Sequence, residues 1–196
     1  MKKKLGIVAT MVLVLVMATG CSLFGPKANG LIMYGADAQI KDALEITKND
    51  VSKTDDFALK YDAKQADDRV IAISKSTAQG LFNNGLLQQV KDKDTTEAIA
   101  KLPEATGDNA VIFAKTDTTV TELKGVKLAG QYGGDIVIGE SRGFAQTIVL
   151  LDDAAWEKLN ADKLGLTVAH FKKDPKNLLV DLSKKLEKAQ MVVIKK

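Results

Sequence analysis

The side chains best suited to chemistry lie in the second half of the chain. Gly139-Glu140-Ser141-Arg142-Gly143 is a G-x-S-x-G segment, followed by Asp152 and Asp153 and then by His170. Serine, acid and imidazole come in the order used by hydrolases built on a strand-to-helix nucleophile turn. Ser141 would attack, His170 would take its proton, and an aspartate would hold the imidazole tautomer. Such a turn works only when a helix follows the serine, because the helix start exposes the hydroxyl and supplies an oxyanion-binding amide. Here Phe144-Ala145-Gln146-Thr147-Ile148-Val149-Leu150 follows, with the β-branched residues of a strand, and no His-Gly-Gly segment stands upstream. The segment is therefore expected to be a glycine hairpin between two strands, with catalysis by Ser141, Asp152 and His170 as the lesser reading.

Metal and phosphate chemistry find no better footing. His170 is the only histidine, which excludes a multi-histidine metal site, and it shares a strand face with Leu166 and Val168. The pairs Asp55-Asp56, Asp67-Asp68 and Asp152-Asp153 lack the spacing of a calcium loop and read as turns and caps. Gly130-Gln131-Tyr132-Gly133-Gly134 leads into strands rather than a helix start, so a turn is expected there and not a phosphate cradle. No enzymatic activity, metal or cofactor is expected.

Cys21 is the remaining reactive group and the only cysteine. Lys2, Lys3 and Lys4 precede an apolar run of about fourteen residues from Leu5, short of the roughly 18 that a membrane-spanning helix needs. A charged leader, an apolar stretch and small residues before a cut form a secretory signal. Ala18-Thr19-Gly20-Cys21 resembles the lipobox of bacterial lipoprotein signals, with Ala18 where leucine is usual. The resemblance implies a diacylglyceryl thioether on Cys21, cleavage after Gly20, and anchorage on the extracytoplasmic face of the bacterial cell membrane. A lone thiol in an oxidising compartment can form no internal disulfide, which agrees with its being modified. Two acyl chains anchor stably at about 0.8 kcal/mol per buried methylene, where one alone is marginal. An ordinary signal with Cys21 as a passenger is the alternative.

The expected organisation is a signal over residues 1–20, a lipidated tether over 21–30 and one domain over 31–196. Without the signal, 176 residues remain of 196, enough for a single core that needs no disulfide or metal. Lys2, Lys3 and Lys4 leave with the signal, so the 28 basic residues fall by three and match the 25 acidic ones. A neutral domain argues against nucleic acid as a partner and against polybasic contact with anionic headgroups. Few aromatics argue against a stacking platform for sugars or bases.

The domain reads as α+β with a mixed sheet. Residues 31–34 form a buried strand, Asp37 caps a helix through Ile40, Ala43 and Leu44, and residues 49–56 are polar loop before a strand at 57–61. A strand at 69–73 passes into a capped helix that ends at Asn83-Asn84-Gly85. Asp94 and Glu97 mark a capping box for a helix over 95–102. A strand covers 109–115, and glycine-parted β segments over 118–139 suggest a meander. Then come a strand at 146–151, a helix capped by Asp152 or Asp153 with Trp156 and Leu159 inward, and a strand at 166–171. Asp174-Pro175 starts a helix whose stripe is Leu178, Leu179, Leu182, Leu186 and Ala189. A strand over 191–194 closes the chain.

Val70-Ile71-Ala72-Ile73-Ser74-Lys75-Ser76-Thr77-Ala78-Gln79-Gly80-Leu81-Phe82 resembles a strand-to-helix element of the extracytoplasmic core domain in MacB/FtsX-type ABC permeases. The passage from Thr147 through Asp152 to Leu159 is similar to a second such element. The chain as a whole also resembles small uncharacterised lipoproteins of Gram-positive bacteria. Together these resemblances imply a lipid-anchored binding or interaction domain, an accessory to an envelope or ABC-transporter complex whose protein it contacts. A small-ligand-binding lipoprotein is the alternative, and a Ser141 hydrolase the third reading.

Overall fold

A computed structural model describes residues 27–61, 69–93, 95–107, 109–118, 120, 122–124 and 126–195. Eight strands form one sheet: β1 (Gly30–Gly35), β2 (Val51–Tyr61), β3 (Val70–Ser74), β6 (Asn109–Phe113), β9 (Ala129–Gly134), β11 (Thr147–Leu151), β12 (Asp162–Phe171) and β13 (Lys188–Val192). Their order is β13-β1-β12-β2-β3-β11-β6-β9. The pairs β3/β11 and β6/β9 are parallel and the others antiparallel, so the sheet is mixed, as expected. A smaller sheet joins β10 (Ile136–Ile138), β4 (Leu87–Val90) and β5 (Thr96–Ala98), and β7 (Glu122–Leu123) with β8 (Val126–Lys127) makes a hairpin.

The large sheet curls. Arg69, just ahead of β3, meets Glu187, just ahead of β13, at 3.2 Å. Laid flat, the four strand spacings between β13 and β3 would separate them by about 19 Å. Arg69 also stacks over Phe144 at 4.3 Å, and Phe144 lies parallel to Tyr34 with centroids 4.1 Å apart. The concave face holds the main core, with Ile32, Leu59, Ile73, Phe113 and Leu166 fully buried. Helix α2 (Lys75–Asn83) and the small sheet close over it.

The convex face carries two separate cores. One packs α1 (Asp37–Thr47) and the short α4 (Leu179–Ser183) on Leu31, Met33 and Ala169. The other packs α3 (Asp153–Lys158) and residues of the β7–β8 hairpin on Ala72, Ala110 and Val149. Between the two coverings the floor of β2 and β12 is left open.

Several local expectations are corrected. Of the 49–56 loop only residues 49 and 50 are a turn; 51–56 are the first half of β2, because β12 offers ten residues of ladder and pairs with it from Val51 to Tyr61. The helix over 95–102 is strand β5 and a following loop: Lys91 N–H donates to Thr95 O, turning the chain back so that β5 pairs with β4. Asp94 lies outside the described residues. Asp37 is the first residue of α1 rather than its cap, and Gln39 accepts from the Ala36 N–H instead. After Asp174 caps a single 3-10 turn (Pro175–Leu178), the helix ends at Ser183, since β13 must begin pairing with β1 at Lys188. Ala189 is therefore buried as a strand residue, beside Met33 in the register. Asn29 N–H donates to Val192 O, and its side chain binds both polar groups of the Ile194 backbone, so the fold begins before residue 31.

The segments over 118–139 are strands that distribute over all three sheets. The glycine-rich run expected as a turn is β9. A Cβ on Gly133 would stand 2.4 Å from Val111 Cγ1 and 2.7 Å from Phe113 Cε1, so the glycines let β9 close on packed side chains. Phe113 is fully buried and cannot swing aside. Gly133→Ala is expected to cost about 2 kcal/mol through overpacking, measured by urea denaturation; an unchanged midpoint would show that β9 can move away.

Candidate functional site

The opening between α1 and α3 exists because β2 outruns β3. Their pairing stops at Leu59 and Ile73, after which β3 turns into α2 while β2 continues alone against β12. The result is a groove of two lobes, about 490 and 530 Å³, that share Asp37, Asp56, Phe57 and Gly165. Its floor is Asp56 and Thr167, whose hydroxyl donates to the carboxylate at 2.7 Å. One lobe lies against α1, and the other against α3 and the start of α2. The site sits at the carboxyl ends of the parallel strands β3 and β11, where open sheets commonly bind ligands.

Both helices entering the groove start with side-chain caps. Ser74 accepts from Thr77 N–H at the head of α2, and Asp152 accepts from Ala155 N–H at the head of α3. The adjacent Asp153 crosses to α2, where one carboxylate oxygen accepts from Ser76 N–H and Ser76 Oγ, each at 2.9 Å. The two strand–helix passages singled out in the sequence are thus tied together through Asp153. At the other end of α3, Lys60 Nζ donates to the carbonyls of Trp156, Glu157 and Leu159 at 2.8–3.1 Å and stands 4.3 Å from the Trp156 ring. Trp156 Nε1 donates in turn to Ala72 O, so α3 is pinned at both ends.

Electrostatics favour the ionised carboxylates. The Ala155 amide, then the Gly107 amide, hold Asp152 below the usual carboxylate range. The Ser76 amide does the same for Asp153. Burial would raise Asp55, but hydrogen bonds from Lys53, His170 and Asn84 outweigh it and lower the net value. A folded pKa below the unfolded one means stability that is complete above about pH 4 and lost as the pH falls through the folded values. Acid unfolding of the wild type is therefore expected to be steeper than that of Asp153→Asn, as read from urea midpoints at stepped pH. Equal slopes would show that Asp153 has no ionisation linked to folding.

The sequence-derived triad is not brought together. Ser141 lies on a turn that opens at Gly139, with φ of +73°, and is followed by strand β11 rather than a helix. Because β10 and β11 belong to different sheets, the expected hairpin is a cross-connection. The turn is held by Gln190, whose side-chain oxygen accepts from Glu140 N–H at 2.9 Å and from Ser141 N–H at 3.3 Å. Asp152 lies beyond the far end of β11 and accepts from Gly107 N–H as well as capping α3. His170 is on β12, with Nε2 2.9 Å from Asp55.

Asp55 and Asp56, expected in a turn, instead point to opposite faces of β2, one to His170 and the other into the groove. Asp67-Asp68 and Cys21 lie outside the described residues, as does most of the tether. No three His, Cys, Asp or Glu side chains among the described residues converge as a metal site. The sequence reading missed Lys60, whose alternation with Leu59 and Tyr61 suggested a solvent face. The small residues Ala58 and Ala72 on that face were the available sign that something covers it.

No helix among the described residues is long and apolar enough to cross a membrane. A search of curated proteins gives no match. A crystal structure of a Bacillus anthracis protein described as a lipoprotein superposes with a TM-score of 0.77 at 26% identity, covering 86% of this chain and all of that one. The model of an uncharacterised lipoprotein family matches residues 28–195, from Ala28, just ahead of the sheet-bound Asn29, to the last described residue. This protein belongs to that family of membrane-anchored bacterial lipoproteins.

Proposed function

We propose that the mature protein begins at an acylated Cys21, faces the outside of the cell membrane, and works as a non-enzymatic binding domain through the groove between α1 and α3. The observation that carries this reading is the gap where β2 leaves β3, which opens two lobes of about 490 and 530 Å³ beside helix starts held by Asp152 and Asp153. The separate partners of Ser141, Asp152 and His170 support a role other than serine catalysis. A fluorophosphonate probe is expected to leave Ser141 unlabelled.

The partner class is an envelope protein, with an ABC-transporter component as the specific form suggested by the strand–helix pairs β3–α2 and β11–α3. Cross-linking of the acylated protein in membranes, followed by capture, tests this. Asp56→Arg places bulk and opposite charge on the groove floor. It should abolish a capture that Lys115→Glu, outside the groove, leaves intact. Recovery of the same partner with Asp56→Arg would remove the groove from the proposal. A small-molecule ligand would instead show as a rise in melting temperature that Asp56→Arg also abolishes.

A further inference from the structure

Charge in this domain balances in total but not in space. The chain enters the fold at Asn29, which hydrogen-bonds to Val192 and Ile194, while Phe171 N–H donates to Asn29 O. Lys172 N–H donates to Asp50 O beside them, His170 lies opposite Lys53 in the sheet, and Lys195 N–H donates to Asn84 O. One end of the molecule is thereby defined. It presents Lys27, Lys53, Lys172, Lys173, Lys176 and Lys195, all exposed. The acids there are Asp50, Asp55 and Asp174, of which Asp55 is largely withdrawn among Lys53, His170 and Asn84. Away from this end the described residues balance, with 17 basic and 17 acidic side chains, so their excess of positive charge lies here. The lobe beside α3 is locally acidic, with Asp37, Asp56, Asp153 and Glu157 facing Lys163.

This lysine end is also where the chain arrives from Cys21. Eight residue steps from Cys21 to Asn29 span at most about 28 Å when fully extended. A lysine near an anionic membrane surface strengthens binding about fivefold, within a Debye length of about 8 Å. A tether this short supplies a high local concentration, so contacts too weak to recruit a free protein can still orient an anchored one.

We propose that this end is a docking face for anionic phospholipid headgroups. It holds the anchored domain down on the bilayer in one orientation. The neutral total, which argued against such contact, hides the lysine excess at this one end. The inference goes beyond the groove reading and rests only on the acylation of Cys21 within the function proposed above.

The test uses acylated protein, its lipid verified by mass, reconstituted in phosphatidylglycerol vesicles or in phosphatidylcholine vesicles and treated with an amine-acetylating reagent. On phosphatidylglycerol, Lys53, Lys172 and Lys173 are expected to react about fivefold more slowly than on phosphatidylcholine. Lys91, Lys115 and Lys127 should keep one rate on both lipids. Salt at about 1 M, where the Debye length is about 3 Å, should erase the difference, and K172E/K173E should return Lys53 to its phosphatidylcholine rate. Equal rates on the two lipids, or uniform slowing of every lysine, would overturn the docking face while leaving the anchor standing. A polypeptide whose mass shows no acyl group would overturn both.

Discussion

Lys60→Met is expected to lower the unfolding free energy by about 3 kcal/mol. The ammonium is buried and makes three hydrogen bonds, all to carbonyls at the end of α3, where Trp156 O and Leu159 O otherwise accept only from the N–H groups of Leu159 and Ala161 just past the helix. Hydrogen bonds from a charged donor contribute about 1.5–3 kcal/mol each. Methionine fills much the same space and removes the cost of keeping a charge out of water, which offsets part of the loss. For a domain of this size the melting temperature should fall by about 6–12 °C, at 2–4 °C per kcal/mol. Amides of the last turn of α3 should lose exchange protection before the rest of the sheet does. A loss below about 1 kcal/mol would mean that water reaches those carbonyls and that Lys60 is not what holds the helix end.

Trp156→Ala should be at least as damaging, at about 4 kcal/mol, the usual range for deleting a large buried aromatic. The indole fills the core between α3 and β3, donates to Ala72 O at 3.1 Å, and lies 4.3 Å from Lys60 Nζ. Trp156→Phe separates packing from the polar bond: the ring stays, Ala72 O loses its donor, and a cost of about 1–2 kcal/mol is expected. The double variant Lys60→Met/Trp156→Ala should fall short of additivity by about 1–2 kcal/mol, since either change alone frees the same helix end. Additivity to within about 0.5 kcal/mol would show two independent supports. Because Asp153 joins α3 to Ser76, loosening α3 should also weaken whatever the groove retains.

Elements with local signals were readable from the chain. Ser74 and Asp152 announced their helices by chemistry that needs no tertiary context, since a side-chain oxygen meets an orphan amide within its own turn. The apolar runs of β1, β3, β6 and β11 could be read because both faces of the sheet are covered there. The errors fell where distant partners decide. The polar first half of β2 looks like a loop until β12 runs beside it, and β9 looks like a turn until its glycines are seen against Val111 and Phe113. The capping-box pattern at Asp94 lost to a hairpin that pairs β4 with β5. The groove was invisible for the same reason: it is made by one strand outrunning another, and Asp56, Thr167 and Ser76 come from three distant parts of the chain.

Function depends first on where the domain is held. Cells grown on radiolabelled palmitate provide the most direct measurement, combined with fractionation after a high-salt wash that strips electrostatic contacts. The wild-type polypeptide is predicted to carry the label and stay with the membrane. Cys21→Ser is predicted to lose both. An unlabelled wild type, or a serine variant that remains with washed membranes as fully as the wild type, would contradict the lipid anchor at Cys21.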